Sequence, residues 1–177
     1  MDLQSIATSA LAATVAAVAL NRSIELQKGR AVARAQLRGI LLELAHAEHC
    51  AQRYFAGAAP DFAAAFAAVV YRVATQYLGS SVEFLAAGGT LRRGEAELIH
   101  RFYIEADETN KALDALAAVA GLSTEGRGEL TAMVTLRQMG TQALVRQQFE
   151  ILRQDLPAAR AAAEAALVRL SWFKQQR

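Results

Sequence analysis

Cysteine, proline and aromatic residues are what this chain has least of: one cysteine, two prolines and 7% Phe, Trp and Tyr over 177 residues. A single cysteine excludes an internal disulfide and suits a reducing compartment. Two prolines, Pro60 and Pro157, leave few positions at which a helix is forbidden. Runs of β-branched residues alternating with polar ones are missing, so strands have no support. The net charge is only +2, and no basic run with interleaved aromatics occurs. No nucleic-acid partner is therefore expected. A phosphate-binding glycine loop is missing too, because "EGRGE" (125–129) lacks the lysine and the preceding strand.

Alanine is abundant. It dominates a 54% hydrophobic composition, and it has the best helix propensity while burying little area. The chain reads as all-α, one domain of ordinary size plus an appendage.

The appendage is the N-terminal stretch Leu3–Leu20, "LQSIATSALAATVAAVAL", which carries no charge. As a helix it rises roughly 27 Å, close to the roughly 30 Å hydrocarbon core of a bilayer. Arg22, Lys28, Arg30, Arg34 and Arg38 follow it, and no basic residue precedes it. The positive-inside rule then predicts an inner-membrane anchor over 1–21, its N-terminus outside, and a cytoplasmic bundle over 22–177. Arg30, Arg34 and Arg38 repeat at i, i+4, i+8, one stripe able to meet anionic headgroups. A secretory signal fits less well, since Asp2 stands where a basic n-region belongs. A first helix buried in a soluble bundle is the competing reading, since Ser5, Thr8 and Thr14 suit a helix–helix seam.

The body reads as helices over about 21–55, 61–87, 95–120, 124–154 and 157–174. Leu37, Ile40, Leu41, Leu44, Ala47, Ala51 and Phe55 share a face of the first. Gly88-Gly89 stops the second. Leu98, Phe102, Ala106, Thr109, Leu113, Leu116 and Ala120 form the seam of the third, with Glu105, Asp107, Glu108, Lys111 and Asp114 on its solvated side. Gly121, with Ser123 or Thr124 as cap, and then Asp155-Leu156-Pro157, mark the last two starts. Short connections predict antiparallel neighbours, an N-terminal helix followed by a bundle of four to five helices. Arg92 and Arg93, in "GGTLRRGE" (88–95), are expected at the same end as the basic stripe and to share its membrane surface.

The uncharged N-terminal stretch, the basic helix running into "LLELAHAE", and "FLAAGGTLRRGEAELIHRFYIEADETNKALDAL" together resemble a broad group of bacterial single-span helical membrane proteins. The likeness covers roughly residues 1–120 and is one of layout. It implies the anchor and the bundle, and no catalytic residues.

Chemistry, if any, would gather around "LELAHAEHC" (42–50), with two of the three histidines and the only cysteine. Glu43-x-x-His46 and Glu97-x-x-His100 match the spacing of carboxylate-bridged di-iron bundles, and Glu83 could add a third carboxylate. Counted from the expected turns, however, Glu43 and Glu83 differ in level by roughly 15 Å. Glu43, His46 and Cys50 lie along one flank of a helix while His49 points away, which makes no tetrahedral shell. Cys50 and His49, being adjacent, diverge by about 100° and cannot act as nucleophile and base. No metal and no cofactor are expected; Cys50 reads as a small buried hydrophobe. The expectation is a non-catalytic scaffold, accessory or assembly subunit working by protein–protein interaction and self-association, its contacts otherwise being membrane lipids. A membrane-disrupting effector, for example in phage defence, and a metal-dependent bundle protein are the alternatives.

Overall fold

A computed structural model describes residues 3–57, 70–77, 80–120 and 128–172. Among these residues there are four helices and no strand: α1 (Leu3–Ala56), α2 (Ser80–Ala87), α3 (Arg93–Ala120) and α4 (Gly128–Trp172). The all-α expectation holds. The number and limits of the helices do not.

The expected membrane anchor is overturned. Among the described residues, no helix is long and apolar enough to cross a membrane, and the inner-membrane location with an outside N-terminus falls with it. α1 has no break at residue 21, but runs unbroken for 54 residues. From Ala16 to Val32 it is exposed along most of its length, and Arg22, Glu25, Lys28 and Arg30 punctuate its aliphatics. A span needs about 20 consecutive, predominantly apolar residues. Seven alanines and five Gln, Ser or Thr residues between Leu3 and Leu20 supply too little hydrocarbon for that.

The body packs around Leu37, Ile40 and Leu44 of α1, Leu85 of α2, Ile99, Phe102, Tyr103 and Leu113 of α3, and Val145, Phe149 and Leu152 of α4, all fully buried. Polar pairs set the register. Arg34 donates to the Leu170 carbonyl (2.8 Å) and Arg160 meets Glu48 (2.8 Å), so α1 and α4 run in opposite senses. Arg101 pairs with Asp155 at 2.8 Å, and Arg169 with Glu95, which places α3 against α4 in the same way. Glu43 of α1 meets Tyr103 of α3, and Arg34 and Glu95 both lie at the Arg169–Leu170 end. α1 and α3 therefore run in the same sense, contrary to the expectation that neighbours alternate.

The reason lies between them. A helix was expected over 61–87; residues 61–69 lie outside the described residues. Among the described residues of that stretch, 71–77 are not helical and 80–87 are. Tyr71 packs on Tyr54, the Arg72 carbonyl meets Cys50, and the Tyr77 ring lies over Gly39. Six residue steps thus run back along fifteen residues of α1. Fifteen helical residues span about 22 Å and six extended steps about 20 Å, whereas six helical steps rise only about 9 Å. An extended strap reaches; a helix falls short.

At the end of α2, Gly89 adopts φ +67°, the Thr90 N–H bonds the Leu85 carbonyl (2.9 Å), and the Gly89 N–H bonds that of Ala86 (3.0 Å). This is the glycine stop expected at 88–89. α3 then starts on a cap in which the Glu95 side chain accepts from the Arg92 N–H at 2.8 Å. The Arg169 guanidinium, helped by the Arg92 N–H, holds the Glu95 carboxyl below its ordinary range against the opposing effect of burial.

The break expected at Asp155-Leu156-Pro157 does not occur, since Pro157 sits inside α4. A proline there removes a backbone hydrogen bond and crowds the preceding turn, about 3 kcal/mol. Val145, Phe149 and Leu152 on one side and Ala159, Ala163 and Ala166 on the other are fully buried on the same face. Docking of that stripe outweighs the local defect. Pro157→Ala should therefore raise the unfolding free energy, by about 1–3 kcal/mol in urea titration; a lower midpoint would mean that the proline shapes a bend the packing requires.

Candidate functional site: a buried carboxylate under the strap

The sequence candidates part company in space. Of Glu43, His46, Glu83, Glu97 and His100, only Glu43 is buried, at 5% exposure; the other four are exposed. Among the described residues no three His, Cys, Asp or Glu side chains converge as a metal site would require. Glu97 is instead paired with Arg93 at 3.0 Å. His49 is exposed. Cys50, 2% exposed, lies 3.7 Å from the His46 ring and from the Arg72 carbonyl. Burial pushes its thiol pKa up, with Arg53 opposing. It is a protonated, packed thiol.

The arginines expected at a membrane surface have other surroundings. Arg34 caps the C-terminal end of α4 through the Leu170 carbonyl, which suits a cation because helix carbonyls there are unpaired. Arg38 is exposed, and Arg30 is half-buried with interactions of its own. Arg92 and Arg93 are exposed, and their loop lies at the Arg34 end, as expected, because Arg169 bonds both the Thr90 carbonyl (3.1 Å) and Glu95. With no span beside them, their assignment to lipid headgroups loses its basis.

Glu43 does something the Glu-x-x-His spacing does not suggest. One carboxylate oxygen accepts the Gln76 N–H at 2.5 Å, both are 3.3 Å from the Tyr77 nitrogen, and the second accepts the Tyr103 hydroxyl at 2.6 Å. Three donors from two elements close on one buried carboxylate, which satisfies it without a cation. Burial first, and then the bond to Glu43, push the Tyr103 hydroxyl pKa well above its ordinary value. Tyr103 stays a donor and cannot serve as a base.

Seven residues beyond Tyr103 on α3, Asn110 repeats the device. Its Oδ1 accepts the Val73 N–H at 2.9 Å and its Nδ2 donates to the Val73 carbonyl at 3.0 Å. Asn110 is 7% exposed and Val73 1%. Side chains of α1 and α3 thus replace the partner strand that an extended segment needs. Outside, Arg72 pairs with Asp114 at 2.5 Å, an exposed contact of small value.

Asn110, Tyr103 and Gly39 carry this site, and sequence reasoning passed over all three. Asn110 leaves a trace, since a poor helix former stands beside the apolar seam of Ala106, Thr109 and Leu113. A second concavity, about 290 Å³, opens between α1 and α4 at Glu48, Ala51, Gln52, Phe55 and Arg153, with the Arg153 guanidinium 5.7 Å from the centre of the Phe55 ring. Its two charges and one ring do not define a reaction. Comparison with family models, curated proteins and solved structures returns no match to this chain, so its function is read from its own geometry.

Proposed function

We propose that the protein is a non-catalytic helical scaffold that acts by protein–protein contact and self-associates through α4. The observation that carries this reading is an apolar stripe on the N-terminal part of α4: Met133, Leu136, Met139 and Leu144 are 69%, 69%, 61% and 44% exposed. At 100° per residue they fall within about 140° of one another, on a side away from the buried Val145–Phe149–Leu152 face. Contiguous exposed apolar surface of this kind marks contact sites, and methionines adapt to the surface they meet.

Gly140 sits within the stripe, and a Cβ built there would meet nothing within 4 Å. A glycine inside a helix costs about 1 kcal/mol against alanine, with no return inside one chain. Close approach of another helix supplies a reason. A two-fold pairing of two α4 helices centred on Gly140 sets Leu136 of each copy opposite Leu144 of the other, the self-complementarity that such a contact requires.

Light scattering after gel filtration tests this. Wild-type protein should run as a dimer at tens of micromolar, and Leu136→Glu should run as a monomer with unchanged helical circular dichroism. A monomeric wild type at the highest attainable concentration removes the proposal.

A further inference from the structure

The strap lies in a slot built like a peptide-recognition groove, and this observation is independent of the α4 stripe. Recognition of extended peptides rests on main-chain hydrogen bonds for affinity and on side-chain subsites for specificity. Both are present here. Asn110 bonds the N–H and the C=O of one residue, Val73, which is the arrangement that reads an extended main chain whatever its side chain. Glu43 takes two further N–H groups, at Gln76 and Tyr77.

Three side-chain subsites accompany these bonds. Tyr71 meets the Tyr54 ring edge-on, with 5.5 Å between centroids. Val73 is buried. The Tyr77 ring lies on α1 where Gly39 has no side chain. Between them Arg72 and Gln76 are exposed, and Ala74 and Thr75 half-buried. One deep anchor and two rings hold the strap, and Val73 belongs to the same buried cluster as Leu44, Phe102 and Leu113, with Tyr71 and Tyr77 packed against it.

We infer that the slot between α1 and α3 is a binding groove for an extended segment of a partner protein, of the pattern aromatic-x-β-branched-x-x-x-aromatic, which the chain's own Tyr71–Tyr77 occupies in its absence. The strap is then an internal competitor. A partner segment gains access by taking over the Asn110 and Glu43 bonds, leaving none of these buried groups unpaired, so exchange avoids the penalty that vacating the slot would carry.

The test uses the full chain with the three strap anchors weakened (Tyr71→Ser, Val73→Ser, Tyr77→Ser) and a fluorescent peptide of residues 70–77, VYRVATQY. Fluorescence anisotropy should rise saturably, with an affinity at least tenfold above that for a scrambled peptide. Adding Asn110→Ala to the same variant should reduce it by tenfold or more. Absence of saturable binding by a variant that keeps its helical circular dichroism overturns the inference, as does binding indifferent to Asn110→Ala. Preferential capture of the wild-type chain as a mixed dimer, without peptide binding, would identify the occupant as a second copy and overturn the partner assignment.

Should the weakened variant lose its helical signal, hydrogen exchange on the wild-type chain decides. The Val73, Gln76 and Tyr77 amides should then exchange at least tenfold faster than those of Phe102 and Leu113. Exchange of both sets at the common rate of global unfolding means that the strap never leaves the slot, and the inference fails.

Discussion

Glu43→Ala is expected to lower the unfolding free energy by at least about 3 kcal/mol. The substitution removes one carboxylate but leaves three donors, the Gln76 and Tyr77 N–H groups and the Tyr103 hydroxyl, facing a gap. A buried donor without an acceptor costs about 1–3 kcal/mol, whereas a hydrogen bond exchanged with water contributes only about 1 kcal/mol net. The orphaned groups therefore dominate. Glu43→Gln separates the two effects, because the amide oxygen still accepts from the strap while its NH₂ faces the Tyr103 hydroxyl; it should cost roughly half as much. Tyr103→Phe removes one donor and leaves the carboxylate with its two strap N–H groups, for about 1 kcal/mol. Urea titration of the three variants gives the order. A Glu43→Ala variant within 1 kcal/mol of wild type would mean that water replaces the carboxylate without penalty, and that apolar packing alone holds the strap.

The second large effect is a change of sign at Gly39. A Cβ there would stand 2.2 Å from Cζ of Tyr77 and 2.5–2.6 Å from two further ring atoms. In the wild-type background Gly39→Ala must expel the ring from α1, and overpacking of this kind costs about 1–3 kcal/mol. In a Tyr77→Ala background the obstacle is gone. The same substitution then gains the helix propensity of alanine over glycine, up to about 1 kcal/mol. A double-mutant cycle by thermal or urea unfolding should therefore yield a large coupling between the two positions. If Gly39→Ala stabilises the wild type as well, the ring does not rest where α1 lacks a side chain, and the aromatic subsite at that end of the strap is lost with it.

Both expectations concern positions that the sequence disguises. Glu43 reads as half of a Glu-x-x-His pair because the spacing is right for two ligands on one helix face. The burial of one partner and the exposure of the other arise from where the strap lies, which no local pattern encodes. Val69, Val70, Val73 and Tyr77 likewise keep helical spacing, and the segment was expected to be helical on that ground. Its backbone groups find acceptors and donors on Glu43 and Asn110 instead, thirty-three and thirty-seven residues away in the chain. The same contest runs the other way at Pro157, where local chemistry asks for a break and the buried stripe of α4 overrides it.

The sequence by itself determined the helical class, the inward face of α1, most of that of α3, where Leu98 is instead exposed, and the glycine stop at 88–89. Those features depend on residue type within one or two turns: alanine-rich propensity, a 3.6-residue apolar period, and a glycine that accepts positive φ. The tertiary structure decided everything that depends on distance through space. It joined two expected helices into α4, put a non-helical strap over 71–77 where a helix was expected, set α1 and α3 in the same sense, and turned a candidate metal ligand into the carboxylate that fastens the strap. The physical reason is that a buried polar group must find its partner wherever the fold brings one, and for Glu43 and Asn110 that partner is the backbone of a segment remote in sequence.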